Sequence, residues 1–529
     1  MSVLLVNGRI HSPSHPDATA MAVRDGVVAW LGGDDVGRAQ FPGAQVTDLD
    51  GGFVAPAFVD SHVHVTATGL ALGGLDLGAA TSLSHCLKLL ADHARAHPHG
   101  PVWGHGWDET AWPEPIAPST DDLDRVLGDR PGYVTRVDVH SAAASTALRR
   151  LDRELAKCGG FDAQRPLTTD AHHRVRAAAR ALLTAEQRAQ ARAAALDAAA
   201  AHGIVAVHEC AGPDIAGLRD WLELRDTSHG VDVIGYWGQA VGSADEARAL
   251  VVATGARGLA GDLFVDGALG SRTAWLQRPY ADADHCGTTY LDADAIAAHV
   301  GACTEAQVPA GFHAIGDGAV SAVVDALSSV VKRHGIAAVA RCGHRLEHLE
   351  IVSAGQAAQL GSWGVIASVQ PNFDARWGGE HGMYARRLGA QRARLLNPFA
   401  LLASQGVPLA FGSDSPVTSM NPWETVRAAA QHHTSESAVS VRAAFAAATR
   451  GGWRASGIRD RVTGTLAPGA PASYAVWDTG PMAHHAPADA VTRWSADPRS
   501  RVPPLPRLGA DAPLPRCRQT VHRGEVIYG

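Results

Sequence analysis

Two histidines one residue apart, His62 and His64, close the apolar run "FVAPAFVDSHVH". Side chains at i and i+2 of a strand point the same way, so both imidazoles can face one ion. Five further apolar runs carry residues of the same kind. "GIVAVHE" ends in His208-Glu209, and "GDLFVDGAL" carries Asp262 and Asp266. "PAGFHAIG" ends in His313, "HRLEHLEI" in His348 and "VPLAFGSDSP" in Asp414. Imidazole and carboxylate without thiolate is a ligand set suited to zinc or a similar divalent ion. Such an ion can lower the pKa of its water from about 15.7 to about 7 and polarise a carbonyl, which is hydrolytic chemistry. The chain holds 27 histidines, so the agreement across four strand ends carries the metal reading, not any single residue. His97-Pro98-His99 has the same spacing but lies in a Pro-containing loop. The pairs His172-His173, His432-His433 and His484-His485 read as incidental.

The elements that must position these residues have a regular rhythm. Short apolar strands alternate with Ala-rich helical stretches, the signature of βα units and a parallel sheet. With "VDVIGYWG" and "GVIASVQPN" the strands number eight, which predicts an α/β fold with a closed (β/α)8 barrel over residues 53–461. Chemistry in such barrels sits at the carboxyl ends of the strands. A helix is predicted over 183–203, with Thr184 and Gln187 as a capping box and Gly203 as its stop. Another follows the fifth strand, with Asp317 as N-cap. Residues from about 70 to 175 break the repeat. They predict an insertion after the first barrel strand, with "PVWGHGWDE" and "YVTRVDVHSAAAST" as extra strands. Both ends read as β structure: "LLVNGRI", a hairpin around Asp25-Gly26, "ASYAVWD" and "QTVHRGEVIYG". Residues 1–52 and 462–529 are therefore expected to build one small composite β domain, with the Pro-rich stretch 497–516 as a surface connection.

The length of 529 residues suits a large barrel with a smaller companion. A net charge of −7 without a basic stripe argues against a nucleic-acid partner. Apolar runs are too short to span a membrane, and the N-terminus lacks the pattern of a signal peptide, so a cytoplasmic protein is expected. Seven cysteines with no C-x-x-C pair argue against a disulfide framework and a thiolate zinc site. The expected partner is a small-molecule substrate, and a homo-oligomer through the β domain or the insertion is compatible with the sequence.

Substrate selection falls to loops. "GWDETAW" offers Trp107 and Asp108, "GSRTAW" offers Arg272, and "VDVHSAAAST" offers His140. Arg272 could meet a substrate carboxylate or carbonyl, or an internal acid such as Asp266.

The order "GGFVAPAFVDSHVH", "GHGWDE", "LFVDGALGSRTA", "GFHAIGDGAV", "HRLEH", "ASVQPNF" and "FGSDSPV" resembles the amidohydrolase superfamily, in its YtcJ-like branch that includes N-substituted formamide deformylases. The resemblance covers nearly the whole chain. It implies a metal-binding barrel with a β-sandwich built from both termini. It also implies that His62, His64, His313, His348 and Asp414 form the metal centre and its surround. Many relatives carry a lysine four residues before the "DG" of "DGALGSRTA", which bridges two metals when carbamylated. Here that residue is Asp262, and the three lysines, Lys88, Lys157 and Lys332, all lie in or beside helices. Aspartate is several bonds shorter than a lysine carbamate, so one ion is expected, held by His62, His64, His313 and Asp414 with His348 beside the water. The rival is a two-ion site bridged by Asp262 or Glu209.

The expected reaction is hydrolysis of a non-peptide C–N bond in a linear amide such as an N-substituted formamide. Asp414 serves as general base and His348 steadies the water or the developing oxyanion. The alternatives are a deaminase or cyclic-imide hydrolase on the same site, a metal-dependent lyase or isomerase, and a catalytically silent binding barrel.

Overall fold

The computed structural model of the chain describes residues 2–483 and 503–529. The His484-His485 pair and the start of the Pro-rich stretch lie outside these residues. The fold is mixed α/β. Seven parallel strands are central to it: β1 (Phe58–Val63), β2 (Ile204–Ala211), β3 (Asp232–Trp237), β4 (Gly311–Ala314), β5 (Arg345–His348), β6 (Ile366–Val369) and β7 (Leu409–Phe411). β2 pairs with both β1 and β3, and β4 to β7 pair in succession. Isolated parallel bridges link the two groups. Tyr236 in β3 meets Gly258, then Leu259 meets Ala310 and Phe264 meets His313. On the far side Val63 bridges Ser415, Asp414 N–H donates to His62 O at 2.8 Å, and His64 N–H donates to Ser415 O at 3.0 Å. The segment after β7 thus meets the end of β1.

The expected fourth strand, "GDLFVDGAL", is the exception. Its ladder breaks between Leu259 and Phe264, where Gly261 adopts a left-handed φ of +78° and its Cα side lies against Cys210. A side chain at Gly261 would be both strained and crowded. Asp262 follows directly in this break.

The first run also divides. Phe53–Pro56 pairs antiparallel with Tyr474–Trp477, and Phe58 begins the parallel set. Hydrogen bonding thus joins Phe53–Pro56 to chain from the C-terminal end and Phe58–Val63 to the parallel set. Chain from both ends builds a five-stranded sheet of Arg9–Ile10, Phe53–Pro56, Tyr474–Asp478, Arg516–His522 and Glu525–Tyr528, in that order. A four-stranded sheet of N-terminal strands shares one apolar cluster with it, including Leu5, Met21, Val54, Tyr474 and Val521. The Asp25-Gly26 turn has φ of +51° and +76°, as a two-residue hairpin requires.

Residues 75–168 carry a separate five-stranded sheet with its own apolar clusters. Helix α1 (Thr169–Ala181) follows it, then helix α2 (Ala185–Ala201) leads into β2. Both capping-box bonds of Thr184 and Gln187 are present at the start of α2, and Gly203 is left-handed at φ +74° just past its end. Asp317 differs from expectation. It is the first helical residue rather than the cap, and its carboxylate accepts from Gln277 N–H at 2.9 Å. All seven cysteines are free. Among the described residues no helix is long and apolar enough to cross a membrane.

Candidate metal centre

His62 and His64 leave the end of β1 toward the same point. His62 Nε2 lies 3.4 Å from Asp262 Oδ1 and 3.4 Å from Asp414 Oδ1. His64 Nε2 lies 3.1 Å from Asp262 Oδ2 and 3.3 Å from Asp414 Oδ1. Four ligands held about 2.0–2.1 Å from one tetrahedral ion sit about 3.3 Å from each other, so these spacings suit a shared ion. On the other side of Asp262, His348 Nε2 is 3.8 Å from Oδ1, and the His313 and His348 rings are 4.4 Å apart.

The orphaned atoms point to the same place. His62 Nε2, Asp262 Oδ1, His348 Nε2 and both ring nitrogens of His313 are buried without a hydrogen-bond partner. His313 Nδ1 lies toward Asp266, at 3.6 Å; buried polar groups are normally satisfied, so the four remaining atoms ask for a cation. The donor set fits a divalent ion on this count and by its chemistry. The opposite ring nitrogens are fixed instead. His62 Nδ1 donates to Glu347 Oε2 at 2.9 Å, and His348 Nδ1 donates to Gln370 Oε1 at 2.8 Å. That assignment leaves each Nε2 lone pair facing the cluster, the arrangement usual for metal-binding histidine.

Glu347 is itself clamped. Arg345 donates to both its oxygens, at 2.5 and 2.8 Å, and also to Ser61 O and Ser368 Oγ. Burial pushes the Glu347 carboxyl up, but Arg345 and His62 outweigh it and hold it well below the usual range. Arg345 stacks over Tyr236 at 4.2 Å and donates to His208 Nδ1 at 3.0 Å, which commits His208 to this network. Neither Arg345 nor Glu347 stood out in the sequence, although both lie in "HRLEH". Asp60 is a third missed residue. It accepts from Ser413 N–H at 2.9 Å and Ser413 Oγ at 2.6 Å, pinning β1 to the segment that carries Asp414. Asp414 and His348 have left-handed backbones, φ +54° and +69°, strain of the kind that collects at functional sites.

The electrostatics show how strongly the site favours positive charge. Burial lowers the pKa of His64, but Asp262 and Asp414 raise it to about 10. His348 is raised to about 9 in the same way, chiefly by Asp262. Asp262 is held well below the usual range because the neighbouring histidines outweigh its burial. His313 goes the other way, to about 3, through burial and the neighbouring His348.

The remaining expected residues separate. Glu209 Oε2 accepts from Val65 N–H at 2.7 Å, where the helix Val65–Gly73 leaves His64. Asp266 is buried and accepts from the N–H groups of Trp275, Ile315 and Gly316, so it organises loops rather than facing the cluster. Trp107, expected against substrate, is packed in the insertion's core with its N–H donating to Val134 O. Asp108 is engaged by Arg136, which also holds Glu109 and Asp138, each at 2.9 Å. Arg272 pairs with Asp282 at 2.8 Å and not with Asp266. His140 lines the cavity at the cluster, 5.1 Å ring to ring from His313. His173, set aside as half of an incidental pair, lines it too, whereas His172 is bonded to Tyr133.

A family model described as "Amidohydrolase family" matches residues 45–528. The protein YtcJ of Bacillus subtilis is 25% identical over 436 residues, covering 76% of this chain and 78% of its own. An N-substituted formamide deformylase of Arthrobacter pascens is 24% identical over 462 residues, covering 82% and 84%. Among solved structures, an uncharacterized metal-dependent hydrolase from Pyrococcus furiosus superposes with a TM-score of 0.68 at 26% identity, over 91% of this chain and 99% of that one.

Proposed function

The chain belongs to the amidohydrolase family, and on that premise we propose that it hydrolyses the C–N bond of a linear amide at the cluster of His62, His64, Asp262 and Asp414. The observation that carries this reading is the set of orphaned imidazole and carboxylate atoms converging within ligand distance. We read the ring of parallel strands as a closed (β/α)8 barrel, and the two terminal sheets with their shared apolar cluster as a composite β-sandwich.

A divalent ion, zinc by donor set, would supply an activated water and a polarised carbonyl when bound. His62 would hold it through the Nε2 lone pair that its bond to Glu347 leaves free, and His64 through the Nε2 that faces Asp262 and Asp414. Asp414, ionised beside them, accepts a proton from the attacking water and returns it to the leaving nitrogen. His348, steadied by Gln370, stands across Asp262 and faces the reacting oxygen. An N-substituted formamide fits this chemistry, as the name of the Arthrobacter relative suggests.

One observation favours a second ion count. Asp262, His313 and His348 also converge within 4.8 Å, so Asp262 could serve two ions at once. Its backbone position in the break after Gly261 supplies reach that its short side chain lacks.

The reaction is tested with a panel of formamides and simple amides in 18O-labelled water. One label in the acid product with release of one amine is expected. Product without label would point to a lyase or isomerase, and ammonia as the sole amine product to a deaminase.

A further inference from the structure

We propose that Arg176 and Arg180 form an anion subsite in the same cavity, so that the ligand carries a carboxylate beside an apolar group. This rests on reading the cavity as an amide-hydrolysing site. The two arginines are four residues apart on α1 and so share one face. Both line the cavity that holds His64, Asp262 and Asp414. Both also line an adjoining cavity walled by Leu70, Leu75, Trp103 and Tyr133.

Their lack of acidic partners is what sets them apart. Arg176 is 6% exposed. One Nη donates to Asp214 O at 2.5 Å, and its buried Nε has no partner. The buried Arg180 Nε also has none, and among the described residues neither guanidinium has a carboxylate within ion-pair distance. Other buried arginines are matched. Arg136 has three carboxylates, Arg345 has Glu347, and Arg387 has Glu109 and Asp282. Asp220, an acid whose field reaches Arg180, is already paired with Arg192 at 3.0 Å. Two like charges on one helix face, with no ion-pair partner among the described residues, are costly unless an anion arrives. The guanidinium fork matches a planar carboxylate.

The chemistry that fits is an N-acylated amino acid with an apolar side chain. Its carboxylate meets the arginines, its side chain enters the apolar cavity and its amide faces the cluster. Water adds oxygen to the acyl carbon, the C–N bond breaks, and the proton from water goes to the amino nitrogen, giving a free acid and an amino acid.

Binding is tested first on metal-stripped protein by calorimetry, with 3-phenylpropanoate and its neutral analogue 3-phenylpropan-1-ol. The carboxylate should bind about 10-fold tighter or more. Arg180→Gln should lower the preference severalfold, with Arg176 retaining the rest, and Arg180→Lys should keep more of it than Arg180→Gln, which separates charge loss from a fold defect. Equal binding of acid and alcohol, or a preference undiminished in Arg180→Gln, would overturn the subsite. Arg180 would then serve only to balance the buried Glu209. On the metal-loaded enzyme, the ratio of kcat/KM for N-formylphenylalanine over N-formyl-2-phenylethylamine should exceed about 10 and fall toward one in Arg180→Gln. Arginine-dependent binding of the acid with no cleavage of either formamide would leave the anion subsite standing and remove the hydrolytic reading.

Discussion

Glu347→Gln is the most informative single change, because Glu347 is buried behind His62 and does not line the cavity. Its carboxylate takes the His62 Nδ1 proton at 2.9 Å and two bonds from Arg345, and all three residues are fully buried. Glutamine keeps the shape but offers one acceptor oxygen and an NH2 group. That NH2 must face either the His62 N–H or the Arg345 donors, so one set of bonds becomes donor against donor. If His62 loses its acceptor, its ring is no longer held with Nε2 toward the cluster. Loss of such a partner costs about 10- to 100-fold in metal affinity, or about 1.4–2.7 kcal/mol. Arg345 loses its only carboxylate partner among the described residues, and breaking a buried pair costs about 3–5 kcal/mol. Its bonds to Ser61 O and Ser368 Oγ remain, which places the loss toward the lower figure. Zinc affinity is read by competition with a chromophoric chelator, and stability by the denaturant midpoint of the metal-free protein. A folded Glu347→Gln protein with zinc affinity within about threefold of wild type would refute the argument that this carboxylate sets the His62 ring.

Three other changes probe separate parts of the account. Asp414→Asn removes the proton acceptor and should lower kcat by about 10²–10⁴-fold, read with the same amide panel; full activity would remove Asp414 from the proton transfer. Gly69→Ala places a methyl group 1.7 Å from Ala191 O of α2. It should push the helix that follows His64 outward, costing about 1–3 kcal/mol and weakening zinc binding although no ligand is changed; unchanged affinity and melting would contradict the close contact. The buried His344 has its pKa lowered to about 3 by burial and by His299, while accepting from Ala310 N–H. Its folded pKa lies below the unfolded value near 6.5, so its stabilising contribution is complete above about pH 6.5 and is lost as pH falls toward 3. The stability cost of His344→Gln should therefore be about 2 kcal/mol smaller at pH 5 than at pH 7, and a cost independent of pH would refute it.

Much of the site was legible because strand ends obey simple rules. His62 and His64 share a side by the i, i+2 alternation, and His348 and Asp414 close apolar runs that pair in the sheet. Asp262 was underweighted because the sequence argument compared side-chain lengths. The structure brings it in through the backbone, at a left-handed glycine that interrupts the ladder. Glu347 looked like ordinary strand alternation, since nothing local says that His62, 285 residues earlier, will meet it. Trp107 misled because a tryptophan in a polar motif packs its ring as readily as it offers it. Arg176 and Arg180 belong to no motif in the sequence, and only the packing around their helix makes its face a cavity wall.

Metal content per chain tests the central claim most directly, measured by elemental mass spectrometry on protein purified without chelator, wild type beside Asp262→Asn. The account predicts about one zinc-like ion per chain in the wild type and its loss in Asp262→Asn. Two ions would favour the reading in which Asp262 serves both. A wild-type chain that takes up neither zinc nor manganese would contradict the account, leaving His62 and His64 without the ion their orphaned atoms call for.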